Sequence, residues 1–121
     1  MPVYNCVDDY TGESPHAERP EWHAGRRMYV VCRRDLPPGL ATPQCIHAVA
    51  AFNVAWALNP NPEETIVVVQ VPDEANLRRI ARKLTDDICA YGIFFEPDID
   101  EYTALATYDP IREIRELPLL Q

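Results

Sequence analysis

The chain has 121 residues, 47% of them hydrophobic, which is enough for one domain with one real core. Its 19 acidic and 11 basic side chains leave a net charge of −8, excluding a surface generally attracted to phosphate backbones or anionic membranes. No apolar run approaches the roughly 20 residues that span a bilayer, the N-terminus lacks the basic-then-apolar order of an export signal, and Cys6, Cys32, Cys45 and Cys89 form no CxxC pair, so a soluble chain in a reducing, cytoplasmic setting is the expectation.

Residues 1–27 contain Gly12, Pro15, Pro20 and Gly25 and show neither helical nor strand period. They read as an extended or wrapped arm ahead of a domain over 28–121. Trp22 and His23 make the arm either an element that captures a protein partner or a cover for an exposed sheet edge.

From Met28 the pattern changes. Met28 to Cys32 is apolar and rich in β-branched and aromatic residues, and Pro37-Pro38-Gly39 follows, as expected of a strand running into a loop. Thr42 and Pro43 then offer an N-cap and a first-turn proline for an Ala-rich helix to Leu58, apolar on most sides and therefore expected to be buried. Thr65 to Val71 is a nearly continuous β-branched run, the pattern of a central strand covered on both faces. Asp73 caps a second helix whose stripe is Leu77, Ile80, Leu84 and Ile88. Gly92 to Glu96 and Tyr102 to Tyr108 are joined by five residues, too few for a parallel crossover, and predict an antiparallel hairpin. The tail after Pro110 has no clear pattern. The order β-α-β-α-β-β predicts a three-layer α/β/α domain on a mixed four-stranded sheet, with right-handed crossovers that lay helices against it.

Several residues have the chemistry for a site. Arg33 and Arg34 fall at the carboxyl end of the first strand, where open α/β sheets place their binding crevice. His47 follows Gln44 by three positions, so the two share a helix face, and His47 reads equally as a proton-transfer group or a hydrogen-bonded structural one. Asp35, ahead of Leu-Pro-Pro-Gly, reads as a loop-fixing acceptor. Arg78, Arg79, Arg82 and Lys83 cluster opposite the second helix's apolar stripe and form the best candidate phosphate-contacting patch; paired with Asp86 and Asp87 they also read as a solvated helix face. Cys45-Ile-His47 lacks a second ligand pair at a metal-binding spacing, so neither metal nor cofactor is expected. The two helices also offer faces for a homodimer.

The segment Arg33-Arg-Asp35-Leu36, then Gly39-Leu-Ala-Thr-Pro-Gln44-Cys45-Ile-His47-Ala48, resembles the opening of type-II peptidyl-tRNA hydrolases, which reads roughly Arg-x-Asp-Leu, a linker, then Gly-Lys-x-Ala-Ala-Gln-Cys-x-His-Ala. Gly39, Gln44, Cys45, His47 and Ala48 match without a gap, and the linker is about two residues shorter. The family's later Asp-Ala-Gly-x-Thr turn corresponds to Glu96-Pro-Asp98-Ile-Asp100-Glu-Tyr-Thr103, where Thr103 matches and either Asp98 or Asp100 stands for the aspartate, Asp98 being preferred. Leu40 stands where the family carries the lysine implicated in catalysis, and the chain's one lysine is Lys83.

The resemblance implies a hydrolase of acyl- or peptidyl-tRNA esters, with Asp98, Thr103, His47 and Arg33 at the reacting group and Gln44, Arg34, Arg78 and Arg82 binding substrate. Leu40 and the acidic surface equally suit a relative that kept the fold, lost the reaction and binds a protein or small ligand.

Overall fold

A computed structural model describes residues 27–56 and 64–120. The arm over 1–26, with Trp22 and His23, lies outside them. Four strands and three helices follow in chain order: β1 Met28–Arg33, α1 Ala41–Ala55, β2 Ile66–Val71, α2 Glu74–Asp86, β3 Tyr91–Glu96, β4 Glu101–Thr107 and α3 Arg112–Arg115.

The strands form one mixed sheet in the order β2-β1-β4-β3. β1 and β2 are parallel, with Val30 opposite Val68. β1 and β4 are antiparallel, as are β3 and β4. The short connection after Glu96 therefore makes the predicted hairpin, and α1 is the crossover that a parallel β1–β2 pair requires.

Alternation along β1 divides the core in two. Met28, Val30 and Cys32 face α1 and pack with Ala48, Phe52, Ala104 and Ala106. Val31 faces the other way, into a cluster with Leu77, Ile80 and Leu84 of α2 and Ile114 of α3. Burial of these three α2 side chains contributes roughly 5–9 kcal/mol before chain entropy is counted. Asp73 caps α2 as expected, its carboxylate accepting the Asn76 N–H at 3.0 Å.

Several sequence expectations are corrected. α1 begins at Ala41 with Leu40 at its N-cap, so Thr42 and Pro43 lie within the first turn. α1 is not buried all round: Gln44, Ala48, Phe52 and Ala55 point inward, while Ile46 and Val54 are 64% and 71% exposed. β2 is an outer strand of the sheet rather than a central one. Its outer edge is met by the C-terminal tail, with Gln70 N–H donating to Pro118 O and Leu120 N–H to Val68 O, each at 2.9 Å. That tail pairing hides ladder groups an edge would otherwise expose. Ile88 lies past α2 with φ 58° and is 72% exposed, so the apolar stripe ends at Leu84.

Gly92 is where α1 approaches the sheet most closely. A Cβ there would lie 2.5 Å from the Phe52 backbone, so only glycine lets the two backbones come this near. Gly39 (φ 83°) supplies the left-handed turn that feeds α1.

Candidate active site at the Gln44 end of the sheet

The ends of β1 and β3, the start of β4 and the first turn of α1 meet at one edge. There the β3–β4 ladder slips: Phe94 pairs with Ala104, but Phe95 pairs with Tyr102, leaving Thr103 as an extra residue on β4. A bulge of this kind turns a side chain that strict alternation would place on the other face. Tyr102 consequently packs in the α2 cluster, whereas Thr103 Oγ1 donates to Gln44 Oε1 of α1 at 2.6 Å.

Gln44 continues the chain. Its Nε2 donates to Glu96 Oε1 at 2.8 Å, and the Asp98 N–H donates to Glu96 Oε2 at 3.3 Å. Gln44 and Thr103 are buried, with 1% and 0% exposure, so each hydrogen bond replaces water that neither group can reach. The bond from Gln44, with help from the Asp98 N–H and the nearby His47, holds the Glu96 carboxyl below its ordinary value of 4.5. His47 is exposed and stacks on Phe94, centroids 4.5 Å apart and planes 24° apart. Phe94 and Glu96 lie two residues apart on β3, hence on one face, which is how His47 and Glu96 become neighbours.

Arg33 belongs to a different assembly. As the last residue of β1 with the parity of Val31, it clamps the loop after β1 to β4. Its Nε and Nη2 donate to the two oxygens of Asp35 at 2.9 and 3.0 Å, and Nη1 donates to Glu101 Oε1 at 2.7 Å and to Tyr102 O at 2.9 Å. Asp35, expected to fix the loop by accepting backbone N–H bonds, here accepts from the Arg33 guanidinium through both of its oxygens. Asp35 first, and then Glu101, holds the guanidinium protonated well above its ordinary range.

The remaining predicted residues divide by place. Arg34 is exposed on the loop leading to α1, and Asp98 is exposed in the β3–β4 turn. Arg78 lies across the α2 face, its guanidinium carbon 5.9 Å from the centroid of the Tyr102 ring, and Arg82 is exposed farther along the same helix. The structure therefore brings together Gln44, Thr103 and His47, sets Arg33 in its own clamp, and leaves Arg78 and Arg82 on the other side of the sheet. Glu96, in sequence only the residue that ends a strand and opens the turn segment, is the carboxylate joined to Gln44. Its period-two relation to Phe94 was the available signal. Among the described residues no three His, Cys, Asp or Glu side chains group to hold a metal ion, and no helix is long and apolar enough to cross a membrane.

On the opposite flank of α1 an apolar groove of about 570 Å³ runs between the helix and β2, lined by Cys45, Ile46, Val49, Val54, Ile66 and Val68 among others. α1 lies over β1, β4 and β3, which leaves this strip of β2 to form the groove floor.

No protein-family model matches the chain, and no curated protein matches it.

Proposed function

We propose that this protein is a carboxylic-ester hydrolase with a type-II peptidyl-tRNA hydrolase-like fold, cleaving the ester between an acyl or peptidyl group and the ribose of tRNA beside Gln44 and Glu96. One observation carries the reading. The two segments that resemble the family, around Gln44 and around Thr103, are 59 residues apart in sequence and are joined by a 2.6 Å hydrogen bond, with Glu96 added at 2.8 Å.

In this reading His47 takes a proton from water as the water oxygen adds to the ester carbonyl, with the Glu96 carboxylate beside it. Collapse of the adduct breaks the bond to the ribose oxygen, which receives the proton from His47. The oxyanion is met by Arg34 and by the first-turn N–H groups of α1, which have no side-chain cap. Thr103, fully buried, acts through Gln44 as a positioning residue. Arg33 fixes the loop that carries Arg34. Arg78 and Arg82, across the sheet, are left to contacts with backbone phosphates.

The second reading, a binding module without the reaction, draws on Leu40 in place of the family lysine and on Arg33 being engaged by two carboxylates. Incubating N-blocked aminoacyl-tRNA with wild type and with Glu96→Gln and His47→Ala variants separates them. The hydrolase reading expects release by wild type that falls in both variants. Saturable tRNA binding with background release by all three supports the module.

A further inference from the structure

Two of the cysteines, Cys32 and Cys45, lie in one cluster beneath the first turn of α1, a feature the hydrolase reading does not use. Cys32 is fully buried on β1, its Sγ 3.6 Å from Arg33 O and 3.9 Å from Ala41 O. Cys45 lies one helical turn after Ala41 and therefore on the same side of α1. Cys45 packs against the buried cluster that holds Cys32. Their exposures differ in a useful way: Cys32 is sealed in the core, while Cys45 is half-buried and forms part of the wall of the apolar groove. A small neutral oxidant thus reaches Cys45 through the groove and cannot reach Cys32 directly.

We propose that Cys45 and Cys32 are a peroxide-sensitive dithiol that closes into an intrachain disulfide, with Cys45 the thiol attacked and Cys32 the one that resolves it. Cys45 sulfur attacks one oxygen of hydrogen peroxide, the O–O bond breaks, and Cys45 becomes a sulfenic acid as one water leaves. Cys32 sulfur then attacks Cys45 sulfur, the S–O bond breaks, and the hydroxyl departs with the Cys32 proton as a second water. Two thiols are oxidised by two electrons in total, and one peroxide is reduced to two waters.

The order of events follows from the electrostatics. The hydrogen bond from Cys32 lowers the Cys45 pKa, and the same bond, together with burial, raises that of Cys32. The thiolate is the nucleophile, so Cys45 reacts first. Cys89, half-buried and pushed up to about 11 chiefly by burial, remains a thiol. The bond would tie the helix turn bearing Gln44 to β1, next to the Thr103 and Glu96 contacts, without using any of their polar atoms.

The test is intact-mass and peptide analysis of the full chain after treatment with dilute hydrogen peroxide, with alkylation under denaturing conditions. The expected wild-type product has lost two hydrogens, yields a linked Cys32–Cys45 peptide pair, and returns to the starting mass with dithiothreitol. Cys32→Ser should retain added oxygen at Cys45, and Cys45→Ser should leave Cys32 fully alkylatable. Wild-type protein that stays reduced, that accumulates oxygen at Cys45 while Cys32 remains alkylatable, or that links either cysteine to Cys6 or Cys89 instead would overturn the proposal. So would oxidation of Cys32 in the Cys45→Ser variant.

Discussion

Thr103 donates its hydroxyl hydrogen to Gln44 across the gap between the sheet and α1, at 2.6 Å and out of reach of solvent. The bond exists because a bulge turns Thr103 toward α1, and it fixes which end of the Gln44 amide is left to serve Glu96. With the oxygen occupied by a hydroxyl, the Nε2 hydrogens face the carboxylate.

Replacing Thr103 with valine keeps the shape and removes the donor, leaving a buried Gln44 oxygen without its partner. Unfolding in urea should show a loss of about 1–3 kcal/mol, and Thr103→Ser should recover most of it. Equal stability of the valine variant and wild type would mean that the bond does not order the site.

The lowered pKa of Glu96 has a definite consequence for acid stability. A carboxyl whose folded pKa is depressed stabilises the native state above its unfolded pKa and loses that contribution as pH falls through the folded value. The Glu96 contribution should therefore be complete at pH 7 and fade below its ordinary value of 4.5. The stability gap between wild type and Glu96→Ala, measured in urea at neutral pH and again near pH 3, is expected to narrow in acid. A gap that widens on acidification would reverse the assigned sign.

Arg33 is 6% exposed and joined to Asp35, Glu101 and the Tyr102 carbonyl. Substitution with methionine keeps the stem but abandons two carboxylates, each more than a third exposed and thus partly compensated by water. The expected cost is about 3 kcal/mol, at the low end for a broken buried pair. Because the clamp fixes the loop that carries Arg34, hydrolysis by the folded fraction should fall as well, less than on loss of His47. Chemical denaturation and activity measured on one preparation check both halves.

Gly92→Ala sets a methyl group against the Phe52 backbone, where no side-chain rotation relieves it. α1 must shift, and a loss of about 3 kcal/mol or more is expected, beyond ordinary overpacking. A melting temperature within a degree or two of wild type would show that the helix rides higher over β3 than described.

Much of the fold was legible because local signals agreed with tertiary ones. Asp73 caps a helix with a clear stripe, and five residues between Glu96 and Tyr102 admit only a hairpin. The misreadings arose where two structures share one pattern. The β-branched run of β2 looks the same at the centre of a sheet and at an edge met by a tail. Ile88 kept the helical spacing although the chain had already turned left-handed there. The bulge at Thr103 has no glycine to announce it, so neither its reorientation nor the Gln44–Glu96 hydrogen bond could be read from residue types. Arg33 looked like a free cation because no local pattern ties it to Glu101, 68 positions away in sequence.

The most direct test of the hydrolase account is the rate of ester cleavage in N-blocked aminoacyl-tRNA with enzyme in excess, for wild type, His47→Ala, Glu96→Ala and Asp98→Ala. The account predicts cleavage by wild type above the spontaneous rate, a fall of about 100-fold or more on loss of the proton-transfer group at His47, a substantial fall for Glu96→Ala, and little change for Asp98→Ala, whose contact with Glu96 is made by backbone. Cleavage by all four proteins at the spontaneous rate would contradict it, as would activity that survives loss of both His47 and Glu96.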